Sequence, residues 1–143
     1  MQLFIGGACA GKRDVVNARF PSAVWRRLSP GQRLHEVSHI MQPNVPLVLH
    51  GVFEWLAAVL SSDISSDASR DQWRQDLANL DTAAHTHGVT LVLIMNELGR
   101  GIVPMARDQR RLRDLSGWFS QDAAAQSEQV WHVRHGLVQA LKP

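Results

Sequence analysis

The residues that most restrict this chain are Gly6-Gly7-Ala8-Cys9-Ala10-Gly11-Lys12, a Gly-x-x-x-x-Gly-Lys pattern close to the N-terminus. It follows an apolar run, Met1-Gln2-Leu3-Phe4-Ile5, that reads as a buried strand. Residues 11–19 behind it are helical in type, and Phe20-Pro21 ends them. A strand that enters a helix through such a turn points backbone N–H groups into one hollow, where the helix N-terminus adds partial positive charge. Phosphate oxygens suit that hollow, and a lysine at this spacing reaches the terminal phosphates. Residues 6–13 are therefore the candidate nucleotide-binding loop: Gly6, Gly7, Ala8, Cys9, Ala10, Gly11, Lys12 and Arg13. The alternative is a glycine-rich turn without a ligand. Composition weighs against it, because Lys12 and Lys142 are the only lysines and every other basic residue is arginine.

The rest of the chain alternates strands with helices. Residues 22–28 suggest a second strand. Residues 30–41 carry Leu34, Val37, Ile40 and Met41 at helical spacing with Pro30 near the first turn, which predicts a helix. Residues 46–51 read as a strand and 52–60 as a helix. The Ser/Asp-rich stretch 61–69 is a loop or helix lead-in. A long helix over 70–87 presents Trp73, Leu77, Leu80 and Ala84 on one face, and Gly88 caps it. Residues 89–95 form the clearest strand, 96–105 a Gly/Pro loop, 107–128 a helix, and 129–134 and 137–141 two closing strands. Continuously apolar strands between helices imply an α/β fold, a mostly parallel sheet covered by helices in a single domain over residues 1–143.

Composition narrows the function classes. The 143 residues carry 15 basic and 13 acidic side chains, without a basic stripe interleaved with aromatics, so nucleic acid is not an expected partner. A single cysteine, Cys9, excludes an internal disulfide or a multi-cysteine zinc site. With no membrane-length apolar run and no secretory start, a cytoplasmic protein is expected.

After the clearest strand comes Asn96-Glu97-Leu98-Gly99-Arg100-Gly101-Ile102-Val103-Pro104, then Arg107, Arg110, Arg113-Asp114, Gly117 and Gln121 on the next helix, and Glu128-Gln129-Val130-Trp131. Together with the loop at residues 6–12 and the second strand, this resembles the bifunctional adenosylcobinamide kinase/adenosylcobinamide-phosphate guanylyltransferases of cobalamin biosynthesis. The resemblance implies a P-loop, RecA-like sheet, a trimer, GTP or ATP as substrate, and adenosylcobinamide as partner. It further implies an enzyme that phosphorylates the aminopropanol arm of adenosylcobinamide and then transfers GMP through a guanylylated histidine.

Three features depart from that family. Arg13 stands where the lysine should be followed by a Ser or Thr whose hydroxyl binds Mg²⁺. Either a metal is held otherwise, or Arg13 replaces part of its charge, or phosphoryl transfer is lost, or Arg13 simply points outward. His50 ends a strand where the family has an acidic residue. The stretch between the second strand and Pro46 is short, and of the expected histidine motif only His35-Glu36-Val37-Ser38-His39-Ile40-Met41-Gln42-Pro43 remains. His39 is the candidate nucleotidyl acceptor, and a helix-surface histidine is the competing reading. Kinase chemistry is thus favoured over guanylylation, with a non-catalytic nucleotide- or corrinoid-binding descendant as the alternative. Glu97 and Arg107 are candidate substrate-binding residues; loop bracing and a solvated or subunit-interface face are the respective alternatives. His85 and His87 read as helix capping. His132 and His135 lack a third ligand, and no metal site is expected.

Overall fold

The computed structural model describes residues 1–61, 64–97 and 106–143. Within them lie β1 (Gln2–Gly6), α1 (Lys12–Arg19), β2 (Val24–Arg27), β3 (Leu47–His50), α2 (Val52–Ala57), α3 (Ser66–His87), β4 (Leu91–Asn96), α4 (Arg107–Gln126), β5 (Gln129–Arg134) and β6 (Leu137–Lys142). The strands form one sheet in the order β2-β3-β4-β1-β5-β6. Every pairing is parallel except β5 with β6, an antiparallel hairpin at the edge. The expectation of a helix-covered, mostly parallel α/β sheet is met.

Alternation along the strands divides the interior in two. Leu3, Leu47, Leu49, Leu91, Leu93 and Met95 face the side covered by α2, α3 and α4. Phe4, Val48, Val92 and Ile94, their immediate neighbours in sequence, face the side where α1 contributes Val16. A period of two on both faces leaves no polar position inside the central strands, hence their unbroken apolar runs. The larger side is centred on Trp55, Trp73 and Phe119, whose rings lie 5.4 to 5.7 Å apart. Each comes from a different helix, so this cluster sets how α2, α3 and α4 meet.

Ionic clasps reinforce the same helices. The Arg33 guanidinium donates two hydrogen bonds to the buried Asp76 carboxylate, at 3.1 and 3.0 Å. Arg70 makes the same forked contact with Asp122 across α3 and α4, and Arg74 adds a third bond. The N-terminal ammonium meets Asp81 at 3.0 Å, pinning the start of the chain to α3.

The helix expected over 30–41 is instead a 3₁₀ segment, Leu34–Ile40. Gly31 at φ +81° and the Gln32 N–H to Ser29 carbonyl bond turn the chain just ahead of it. The Ser38 hydroxyl then donates to the His35 carbonyl, competing with the helical ladder. The ten residues between that turn and Pro43 are too few to propagate a stable α-helix against such competition. The long helix starts earlier than expected, at Ser66, because the Ser65 hydroxyl accepts from the Ala68 N–H at 3.2 Å. Gly88 ends it at φ +66°, as anticipated.

Phe119→Ala is expected to lower the unfolding free energy by about 3–5 kcal/mol, read from urea denaturation, because it opens a cavity between two indoles. A loss below about 1 kcal/mol would remove this cluster from its central place.

Candidate functional site

β1 runs down the middle of the sheet and stops at Gly6, with β4 on one side and β5 on the other. Open α/β sheets present their ligand crevice at the carboxyl ends of such strands. The loop between β1 and α1 lies there. Its shape requires glycine twice. A Cβ on Gly6 would overlap the Val133 carbonyl oxygen of β5, and Gly11, at φ +94°, is packed 3.2 Å (measured to an added Cβ) from Gly136 Cα. Gly136 sits in the β5–β6 turn, whose two central residues His135 and Gly136 both have positive φ, as a two-residue hairpin turn demands. The Gly136 N–H donates to the Ala10 carbonyl at 2.8 Å, so the edge hairpin holds the loop in place.

An open cleft of about 550 Å³ extends from this loop toward the end of β3 and the start of α2. Ala8, Cys9, Ala10, Gly11, Lys12, Arg13, His50 and Asn96 all border it, together with Arg27 and Phe53. Cys9 is exposed and adopts φ +58°, an uncommon conformation for a residue with a Cβ. Lys12 is only 7% exposed. Its Nζ donates to the carbonyls of Gly6 at 3.0 Å and Gly7 at 2.6 Å. Burial pulls its pKa down from the usual lysine value, while the nearby Cys9 and Glu97 act the other way. An ammonium has three donors, so one remains for a ligand.

Arg13 and His50, read as two separate departures from a phosphate-loop pattern, touch each other. The Arg13 guanidinium donates to His50 Nδ1 at 2.9 Å. Both groups lie against Trp25: the guanidinium carbon is 5.9 Å from its ring centroid, and the imidazole meets it edge-on at 5.9 Å. Arg13 therefore does not simply point away from the protein. Burial lowers the His50 pKa, and the positive charges of Arg13 and Arg27 lower it further, against Glu54. A phosphate-loop site holds Mg²⁺ with a hydroxyl after the lysine and a carboxylate from a neighbouring strand. A guanidinium and a neutral imidazole occupy those two places, so the donor set does not fit the metal. Among the described residues, no three His, Cys, Asp or Glu side chains converge on a common point.

The other candidates are dispersed. Glu97 follows β4; its backbone N–H donates to the Gly6 carbonyl at 2.8 Å, and its carboxylate meets His132 Nε2 on β5 at 3.2 Å. It thus braces the junction of β4, β1 and β5 beside Lys12. The His132 contact was not legible in the sequence, because 35 residues separate the pair and nothing local couples them. Arg107 opens α4 and lines a separate hollow with Ser66, Arg110, Arg111 and Trp118. His39 is exposed on the 3₁₀ segment and does not border the cleft. Of the Asn96–Pro104 signature, Asn96 and Glu97 are seen at the end of β4, while residues 98–105 lie outside the described residues.

His85 matches its capping role: its ring touches the Asp81 carbonyl and, at 2.7 Å, Glu128, and the backbone contact chiefly raises its pKa. For the described helices, none is long and apolar enough to cross a membrane.

Comparison with known proteins now adds to this geometry. The family model described as cobinamide kinase / cobinamide phosphate guanyltransferase matches residues 16–141. That match begins beyond Lys12, so the loop stands on its own sequence pattern and geometry. The chain is 30% identical over 128 residues to the bifunctional adenosylcobalamin biosynthesis protein CobU of Escherichia coli strain K12, covering 82% of this chain and 70% of that protein. It is 42% identical over 52 residues to the Salmonella typhimurium protein of the same name, and 38% identical over 52 residues to CobP of Pseudomonas aeruginosa. Those two matches cover 36% of this chain and 29% and 30% of the relatives. Among solved structures, the P4 protein from bacteriophage phi13 superposes with a TM-score of 0.50 at 18% identity, over 96% of this chain and 52% of that one. That likeness speaks to the fold alone, an α/β sheet of the P-loop type.

Two outcomes follow from the site itself. Gly6→Ala must push β1 away from β5 and is expected to destabilise the protein by about 1–3 kcal/mol in chemical denaturation. For His50, the fold lowers the pKa, so the neutral ring is the native form. Its contribution to stability is complete above the ordinary value of 6.5 and is lost as the pH falls through the lowered value. An NMR titration should place the His50 midpoint below 6.5, and Arg13→Ala should move it upward without reaching 6.5, since burial is the larger cause.

Proposed function

The chain belongs to the cobinamide kinase / cobinamide phosphate guanyltransferase family, and from that premise we propose that it binds GTP or ATP at residues 6–13 and phosphorylates the aminopropanol arm of adenosylcobinamide in cobalamin biosynthesis. The observation that carries this reading is the buried Lys12 ammonium at the carboxyl end of β1, held by Gly6 and Gly7 carbonyls beside a rigid glycine loop. A charge kept in so dry a place, held by neutral carbonyls, is stabilised by an anion, and the terminal phosphate of a nucleotide brings one. Lys12 turns its remaining N–H to a phosphate oxygen, the loop N–H groups take the rest, and the α1 N-terminus adds its partial charge. The alcohol of the substrate attacks the terminal phosphorus as the bond to the nucleoside diphosphate breaks, and its proton leaves to water in the open cleft. Glu97 positions the substrate at the end of β4, while Arg107, in its separate hollow on α4, is left with the reading of a solvated or subunit-interface face.

Phosphoryl transfer is favoured over guanylyl transfer because His39, the remaining candidate acceptor, sits on an exposed 3₁₀ segment away from the cleft. Covalent transfer through an imidazole needs donors around the transferring phosphate. A cytoplasmic homotrimer fits the family resemblance, and sedimentation velocity would read three copies. The Arg13–His50 contact also favours a second reading, a nucleotide- or corrinoid-binding member that no longer turns over.

Isothermal calorimetry with GTP and ATP tests the common ground of both readings. Binding is expected for the wild type, with Lys12→Ala weakening it by about 10- to 100-fold, the worth of a charge-assisted bond to phosphate. Phosphorylation of adenosylcobinamide by the wild type then separates the enzyme from the non-catalytic protein. Failure to bind either nucleotide would refute the enzyme and the nucleotide-binding form of the second reading.

A further inference from the structure

We propose that the Arg13 guanidinium, aimed by a neutral His50, serves as a built-in substitute for the divalent cation, so that this protein binds its nucleotide phosphates without Mg²⁺. The proposal rests on the nucleotide reading above and deepens it.

The two replaced positions are the two that would hold the metal, and they are replaced in a complementary way. Arg13 lies in the first turn of α1 immediately after Lys12, and His50 is the last residue of β3. Both border the same cleft. Guanidinium nitrogens are donors only, so the 2.9 Å contact with Nδ1 requires that nitrogen to be unprotonated. His50 is therefore a neutral acceptor with its ring proton on Nε2.

That chemistry explains why an imidazole serves here and a carboxylate would not. An aspartate at position 50 would pair with Arg13 and cancel its charge. A neutral ring fixes the guanidinium's direction and leaves the full positive charge facing the cleft. Trp25 supports both partners, limiting the arginine to few rotamers. The neighbouring acids are engaged elsewhere: Glu54 faces Arg27 at 3.6 Å and Glu97 faces His132 at 3.2 Å. Asp14, the remaining acid at the cleft border, is exposed on the next position of α1. A planar guanidinium bordering the same cleft as Lys12 can offer paired N–H donors to non-bridging phosphate oxygens, which is forked recognition of the kind arginine does best.

The test is calorimetric titration of GTP and ATP into the full chain, once in EDTA and once in millimolar Mg²⁺, for the wild type, Arg13→Ser and His50→Asp. Circular dichroism melts establish that the variants fold, which the exposure of Arg13 favours. The wild type is expected to bind equally well in both buffers. Arg13→Ser should weaken binding in EDTA by about 10- to 100-fold. His50→Asp should weaken it by about tenfold, because the new carboxylate neutralises Arg13. Wild-type binding that strengthens tenfold or more with Mg²⁺ would overturn the proposal and leave nucleotide binding intact. Unchanged affinity of Arg13→Ser or of His50→Asp in EDTA would overturn it as well. No binding of either nucleotide in either buffer would overturn it together with the reading on which it rests.

Discussion

The site depends on the absence of a side chain at the end of β1. Gly6 lies where β4, β1 and β5 come together, and the Val133 carbonyl occupies the space a Cβ would need. From that close approach the rest follows. The Gly6 carbonyl accepts from both the Glu97 N–H and the Lys12 ammonium. The same packing brings the β5–β6 turn under the loop, where Gly136 bonds to Ala10 and abuts Gly11. The hairpin at the far edge is thus a support of the ligand loop, even though no residue of it borders the cleft.

Lys12 shows how such a site stores charge. A buried ammonium without acceptors is expensive, and two loop carbonyls offset the desolvation only in part, which is why its pKa falls. The residual imbalance is the physical basis of the nucleotide reading proposed above. Arg13 and His50 add to it in a coordinated way: the arginine brings charge, and the imidazole brings direction without neutralisation. Read one at a time, the two replacements look like damage to a phosphate loop. In contact with each other they form one paired group at the border of the cleft.

The scaffold keeps the cleft open through contacts remote from it. The Trp55–Trp73–Phe119 cluster and the Arg33–Asp76 and Arg70–Asp122 pairs fasten helices on one face of the sheet. The strand ends are therefore left to carry polar groups. Trp55 links the two regions: it lies one turn into α2, the helix that begins just beyond His50, and its indole N–H reaches the Gln32 carbonyl at 2.7 Å.

Local pattern was enough to reveal the strands, the long helices, the loop with Lys12 and the Gly88 cap. Each rests on short-range physics: unbroken apolar runs, helical spacing, and backbone angles that glycine adopts freely. The 3₁₀ segment over Leu34–Ile40 was hidden because helical spacing is blind to a preceding turn and a competing Ser38 bond. Equally hidden were contacts between distant residues: Arg13 with His50, Glu97 with His132, and Met1 with Asp81. The sequence alone determined that this chain forms a parallel sheet with a lysine-bearing loop after its first strand, since those features depend on neighbours in the chain. Only the tertiary structure decided what that loop faces, because the partners of a buried charge are set by strand order, and strand order comes from packing the whole sheet at once.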